Sequence, residues 1–146
     1  MKLSELVIHT SQSLGLTKPT VTAVAGFLRG AGLVTSGGRG PGGAEMSSDD
    51  KVRLLLGTCC VGIASRTAFE VRSWTERCPG LIEHIEVCIK NPPVDTSVEF
   101  DVDGYYARFV RKDGKVKTFG KRSDAASYLT RTITAKAFRA WLDGLK

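Results

Sequence analysis

The chain has 146 residues, 42% of them hydrophobic and 25% charged, and a net charge of +6. That length allows one domain or two small ones with a core of ordinary size. No run approaches the roughly 18 to 20 apolar residues of a membrane span, and no basic segment leads into an apolar one at the start, so no membrane association and a cytoplasmic location are expected.

The charge is uneven. Residues 1 to 46 carry Lys2, Lys18, Arg29 and Arg39 against Glu5 and Glu45, residues 47 to 92 balance, and residues 93 to 146 carry eleven Lys and Arg against seven acids. Local positive charge of this kind attracts polyanions, nucleic acid most often, although an excess of this size also serves plain solubility. Cys59, Cys60, Cys78 and Cys88 form no CxxC pair, and adjacent cysteines are poor partners for one disulfide or one metal, so reduced, buried thiols are expected.

In chain order, Ser4 is expected to cap a first helix with Leu3, Leu6, Val7 and Leu14 on its apolar side and Gly15 at its end. Leu16 and Thr17 leave room only for a tight turn. A second helix follows, with Pro19 in its first turn and Gly30 and Gly32 at its close. Val21, Val24, Ala25 and Leu28 recur at i, i+3, i+4 and i+7, one face of a helix. Thr17, Lys18, Thr20 and Thr22 stand at the N-terminus of that helix, hydroxyls and a cation where a recognition helix meets base edges and phosphates, and Arg29 lies nearer its end. Leu33 and Val34 read as the first strand of a hairpin. The segment SGGRGPGGAE, too glycine-rich to pack a core, places Arg39 at its centre, suited to a minor groove or the sugar-phosphate backbone, unless the segment is simply a linker.

Residues 16 to 46, LTKPTVTAVAGFLRGAGLVTSGGRGPGGAEM, resemble the recognition helix and wing of winged helix-turn-helix regulators of the MarR-like kind. Val21, Val24, Ala25, Leu28, Gly32, Leu33 and Val34 carry the likeness, with the wing at Ser36 to Glu45. No helix precedes the first one here, so the resemblance implies that a later helix completes the domain.

Ser47 with Asp50 caps a following helix whose run VRLLLGTCCVGIA is almost wholly apolar. It is the expected completing helix, or else a dimer seam. Thr67 and Glu70 suggest a capping box before Ala68, Val71 and Trp74, and Pro79-Gly80 ends that helix. Leu81, Ile82, Ile85, Cys88 and Ile89 mark another, stopped by Asn91-Pro92-Pro93. The period then drops from 3.6 to 2. VEFDV, YYARFV and KVKTF, separated by Asp103-Gly104 and Asp113-Gly114, predict an antiparallel meander, with Leu129, Arg131 and Ile133 as a fourth strand. Thr134 caps a last helix that sets Phe138, Trp141, Leu142 and Leu145 over the sheet. The expected class is therefore α+β: a winged helix-turn-helix with supporting helices over 1-92, then a small meander with a C-terminal helix over 93-146.

Arg108, Arg111, Lys112, Lys115, Lys117, Lys121 and Arg122 surround the second hairpin, with Tyr105, Tyr106 and Phe109 interleaved. They form a second candidate nucleic-acid surface, with cations on phosphates and rings on bases. The preferred alternative is a solvated hairpin whose rings pack beneath the last helix. His9 and His84 belong to no catalytic or metal-binding constellation, and neither a phosphate loop nor a dinucleotide fingerprint is present. The expectation is no enzyme, no cofactor and no metal. The function expected is that of a sequence-specific double-stranded DNA-binding transcription regulator of prokaryotic or phage type, working as a homodimer on palindromic sites. The alternatives are a DNA-packaging recognition subunit of the small-terminase kind and a winged-helix protein-interaction adaptor.

Overall fold

The computed structural model describes residues 1–37, 43–60, 63–122 and 129–145. Its class is α+β, six α-helices and a four-stranded antiparallel sheet among the described residues. The helices are α1 (Leu3–Leu14), α2 (Lys18–Gly30), α3 (Ser48–Cys59), α4 (Thr67–Arg77), α5 (Leu81–Lys90) and α6 (Ala135–Asp143). The strands are β1 (Thr96–Asp101), β2 (Tyr106–Arg111), β3 (Val116–Phe119) and β4 (Thr130–Ile133), in the order β3-β2-β1-β4.

Local chemistry sets most of these limits. Gly15 takes the left-handed conformation, φ 65°, and closes α1. Thr17 caps α2, its hydroxyl accepting from Thr20 N at 3.4 Å, and Ser47 and Asp50 form the expected reciprocal cap of α3 at 3.1 and 2.9 Å. Ser4 does not cap α1. It lies inside the helix, and Glu5 Oε2 instead accepts from Lys2 N at 2.7 Å. The Thr67–Glu70 capping box is also absent. A 3₁₀ turn over Ala64–Arg66 runs straight into α4, the Thr67 hydroxyl donates back to Ala64 O at 2.6 Å, and Glu70 is engaged by Arg66 and Tyr105.

Leu33 and Val34 are not a strand. Leu33 N–H closes the end of α2 on Leu28 O at 2.9 Å, Leu33 O accepts from Arg53 Nη1 at 3.2 Å, and Thr35 N–H donates to Asp50 Oδ1 at 2.9 Å. Those three backbone groups are committed to α2 and α3 rather than to a ladder. The far side of the glycine segment pairs with the start of the chain, where Glu45 bridges Lys2 antiparallel and Met46 N–H donates to Met1 O at 2.9 Å. Burial opposes the Asp50 charge, but the backbone N–H groups of Thr35 and Ser47 outweigh it and hold the carboxyl below its ordinary value.

Val21, Val24, Ala25 and Leu28 are buried and turn α2 onto α3. The apolar residues of α3, with Leu54, Leu55 and Leu56 at 0% exposure, are satisfied within one chain, so α3 is not a dimer seam. α3 covers α2, while α1 is covered by α6, the last helix of the chain. Trp141 Nε1 donates to Thr10 Oγ1 at 3.2 Å, and His9 Nε2 lies 2.8 Å from Trp141 O.

Register alternates as the sequence implies. Val98, Phe100, Ala107 and Phe109 face inward, and Glu99 faces Arg108 across the open side at 2.7 Å. Trp74 of α4 meets Phe100 edge-on with ring centroids 5.6 Å apart, His84 of α5 meets Phe109 at 4.6 Å, and Phe138 of α6 meets Phe109 at 6.1 Å. Helices thus cover one face of the sheet, and buried residues from Leu6 to Leu145 form a single cluster. The second hairpin turns at Gly114, φ 87°. In the first, the left-handed residue is Tyr105, φ 51°, rather than Gly104, whose N–H donates to Asp101 Oδ1 at 2.9 Å. All four cysteines are free and buried, as expected, and burial pushes the Cys59 thiol up to about 11.

Candidate nucleic-acid interface

With Val21, Val24, Ala25 and Leu28 turned inward, the outer face of α2 is fixed by the helical period. Thr17, Lys18, Thr20, Thr22 and Arg29 are all exposed on it. Lys18, Thr22 and Arg29 share one stripe, at i, i+4 and i+11, and line a cleft of about 410 Å³ between α1, α2 and the chain around Thr35 and Ala44. Leu3, Val7, Ile8, Ala25 and Met46 make its floor, and Lys2 reaches it from the other side. Thr17 and Thr20 lie at the tip of the helix, their hydroxyls 2.7 Å apart, so each is engaged by the other in the cap. Arg39 lies outside the described residues.

The electrostatics of this face follow from what is missing from the chain around it. Between Glu5 and Glu45 there is no Asp or Glu, whereas Lys18, Arg29 and Arg39 fall in that interval. Lys18 and Arg29 make no ion pair among the described residues. Glu45 is held by the Met1 ammonium group, whose hydrogen bond lowers the pKa of its carboxyl. Cations without an ion-pair partner keep more of their field for a ligand.

The basic hairpin is arranged differently. Arg108 pairs with Glu99 at 2.7 Å, Arg111 with Asp113 at 2.8 Å and Lys112 with Asp95 at 3.9 Å. Lys117 stands over the Phe119 ring at 5.5 Å, and Lys115 is exposed, its backbone N–H donating to Asp113 at 3.1 Å and its carbonyl accepting from Arg111 N at 2.9 Å. Phe109 is buried under α6, Tyr105 is half-buried against Trp74, and Arg122 lies over the Tyr106 ring at 5.9 Å. Arg108, Arg111 and Lys112 are therefore paired within the hairpin or by its neighbours.

Lys2 and the apolar floor escape sequence reasoning. Lys2 enters the cleft through pairing with Glu45, a contact across more than forty residues that no local pattern announces. Ile8 reads as one more apolar residue of α1, yet it is 39% exposed at the cleft, and Phe27, on another stripe of α2, is 44% exposed. Among the described residues no three of His, Cys, Asp and Glu come together to hold a metal ion, and no helix is long and apolar enough to cross a membrane. No family model, no curated protein and no solved structure matches this chain.

Proposed function

We propose that the protein binds double-stranded DNA through α2, as a helix-turn-helix regulator of prokaryotic or phage type. The observation that carries the reading is the stripe of Lys18, Thr22 and Arg29, exposed, unneutralised and continuous along one helix beside a stretch of chain free of carboxylates. In this reading α2 lies in a major groove. Lys18 and Arg29 hold phosphates, Thr22 and the tip hydroxyls Thr17 and Thr20 approach base edges, and Arg39 follows the neighbouring backbone or minor groove. Backbone contacts set affinity and hydroxyls alone read bases weakly, so binding depends steeply on salt and only moderately on sequence. The hairpin residues Arg108, Arg111, Lys112, Lys115 and Lys117 are secondary, because their charges are largely paired at home.

A protein-interaction adaptor is the second reading, favoured by the apolar cleft floor and by exposed Ile8 and Phe27. Fluorescence anisotropy on random duplexes and on the DNA upstream of the gene, across a salt series, separates the readings. Preferential upstream binding with a steep salt slope is expected. Equal binding to both pools points to packaging duty, which a ring-sized mass in solution would accompany, and no binding at low salt leaves the adaptor.

A further inference from the structure

A second cleft, of about 260 Å³, lies where the end of α1, the end of α3, β4 and the start of α6 meet. Its walls are mainly apolar: Leu14 and Leu16 on either side of the α1–α2 turn, Ile133 from β4 and Ala137 from α6. Arg131 is the one charge among its described lining residues, and no carboxylate faces it there. The register sets the direction of this arginine. It is paired with Phe100, so it belongs to the same inward face of the sheet as Val98, Phe100 and Ile133, which are buried and apolar. Its guanidinium makes no ion pair among the described residues.

We infer that this cleft is a binding site for a small amphiphilic carboxylate, its head group on Arg131 and its hydrocarbon body against Leu14, Leu16, Ile133 and Ala137. The guanidinium presents a planar fork that matches a carboxylate with two parallel hydrogen bonds, and the apolar walls reject a wholly polar anion. The volume lies just under the ~300–1,000 Å³ of drug-sized sites, so the ligand is small. An inward-pointing charge on an edge strand also guards against edge-to-edge pairing, a role that needs no ligand. The two roles predict different binding.

The test uses octanoate as probe, with octanol as its uncharged counterpart, titrated calorimetrically and by thermal unfolding into the full chain. Octanoate is expected to bind and to raise the melting temperature with concentration, and octanol to bind about tenfold or more weaker. Arg131→Gln, at an exposed position, should fold normally and lose the preference for octanoate. Ala137→Leu, which fills the cleft, should lose both ligands. No octanoate binding at millimolar concentration, equal affinity for the two probes, or unchanged octanoate affinity in either folded variant would overturn the inference.

Discussion

The indole N–H of Trp141, in the last helix, donates to the hydroxyl of Thr10 in the first at 3.2 Å, and both residues have no exposed surface. That bond ties the two ends of the chain across 131 positions. A buried donor stripped of its acceptor costs about 1–3 kcal/mol. Thr10→Val keeps the shape and removes the acceptor, so it is expected to lower the free energy of unfolding by that amount in urea titration. A change within the noise of the measurement would mean that the indole finds another partner.

Gly120 packs directly on the turn at Tyr105. Its φ is +79°, and a Cβ there would sit 2.2 Å from Tyr105 O and 2.9 Å from Cys78 Sγ, whose thiol donates to that same carbonyl at 2.8 Å. Gly114 has a similar φ, +87°, with nothing within 4 Å. Gly114→Ala is expected to cost only the backbone strain, about 1 kcal/mol, and Gly120→Ala several-fold more because two neighbours must move. Equal losses in thermal unfolding would show that the Tyr105 turn yields freely.

His84 lies between the rings of Phe109 and Phe119, centroids 4.6 and 5.1 Å away. Burial, and then the charge of Lys117, lower its pKa below the ordinary 6.5. The unfolded chain therefore takes up this proton first as the solution is acidified. The contribution of neutral His84 to stability is complete above pH 6.5 and is lost as pH falls from there through the lowered folded value. His84→Phe should remove that part of the acid-side decline, and Lys117→Met should raise the imidazole pKa when followed by NMR. An imidazole titrating at or above 6.5 in the folded protein would contradict the placement.

Lys18 and Arg29 are exposed and make no ion pair among the described residues, so alanine at either should leave the melting temperature almost unchanged. On duplex DNA each substitution is expected to weaken binding and to reduce the salt slope by about 0.9, the share of one phosphate contact. An unaltered slope in the double variant would take α2 out of the interface.

Local pattern was enough to place most elements. The spacing of Val21, Val24, Ala25 and Leu28, the cap at Ser47 and Asp50, the switch to alternation after Pro92-Pro93 and the apolar side of α6 all follow from the period of one element and the residues at its ends. The exposed stripe of α2 is legible for the same reason, since burying one face of a helix exposes the other. Tertiary structure decided everything that depends on a distant partner. Leu33 and Val34 have strand-forming side chains, yet the end of α2 and the side chains of Arg53 and Asp50 take up the backbone groups around them. Thr67 and Glu70 have capping chemistry, yet Ala64, Arg66 and Tyr105 claim their oxygens. α1 needed a covering helix, and α6, more than a hundred residues away, supplies it alongside α3 on α2. Periodicity reports which side of an element is apolar. Which surface meets that side is settled only when the whole chain competes for the same core.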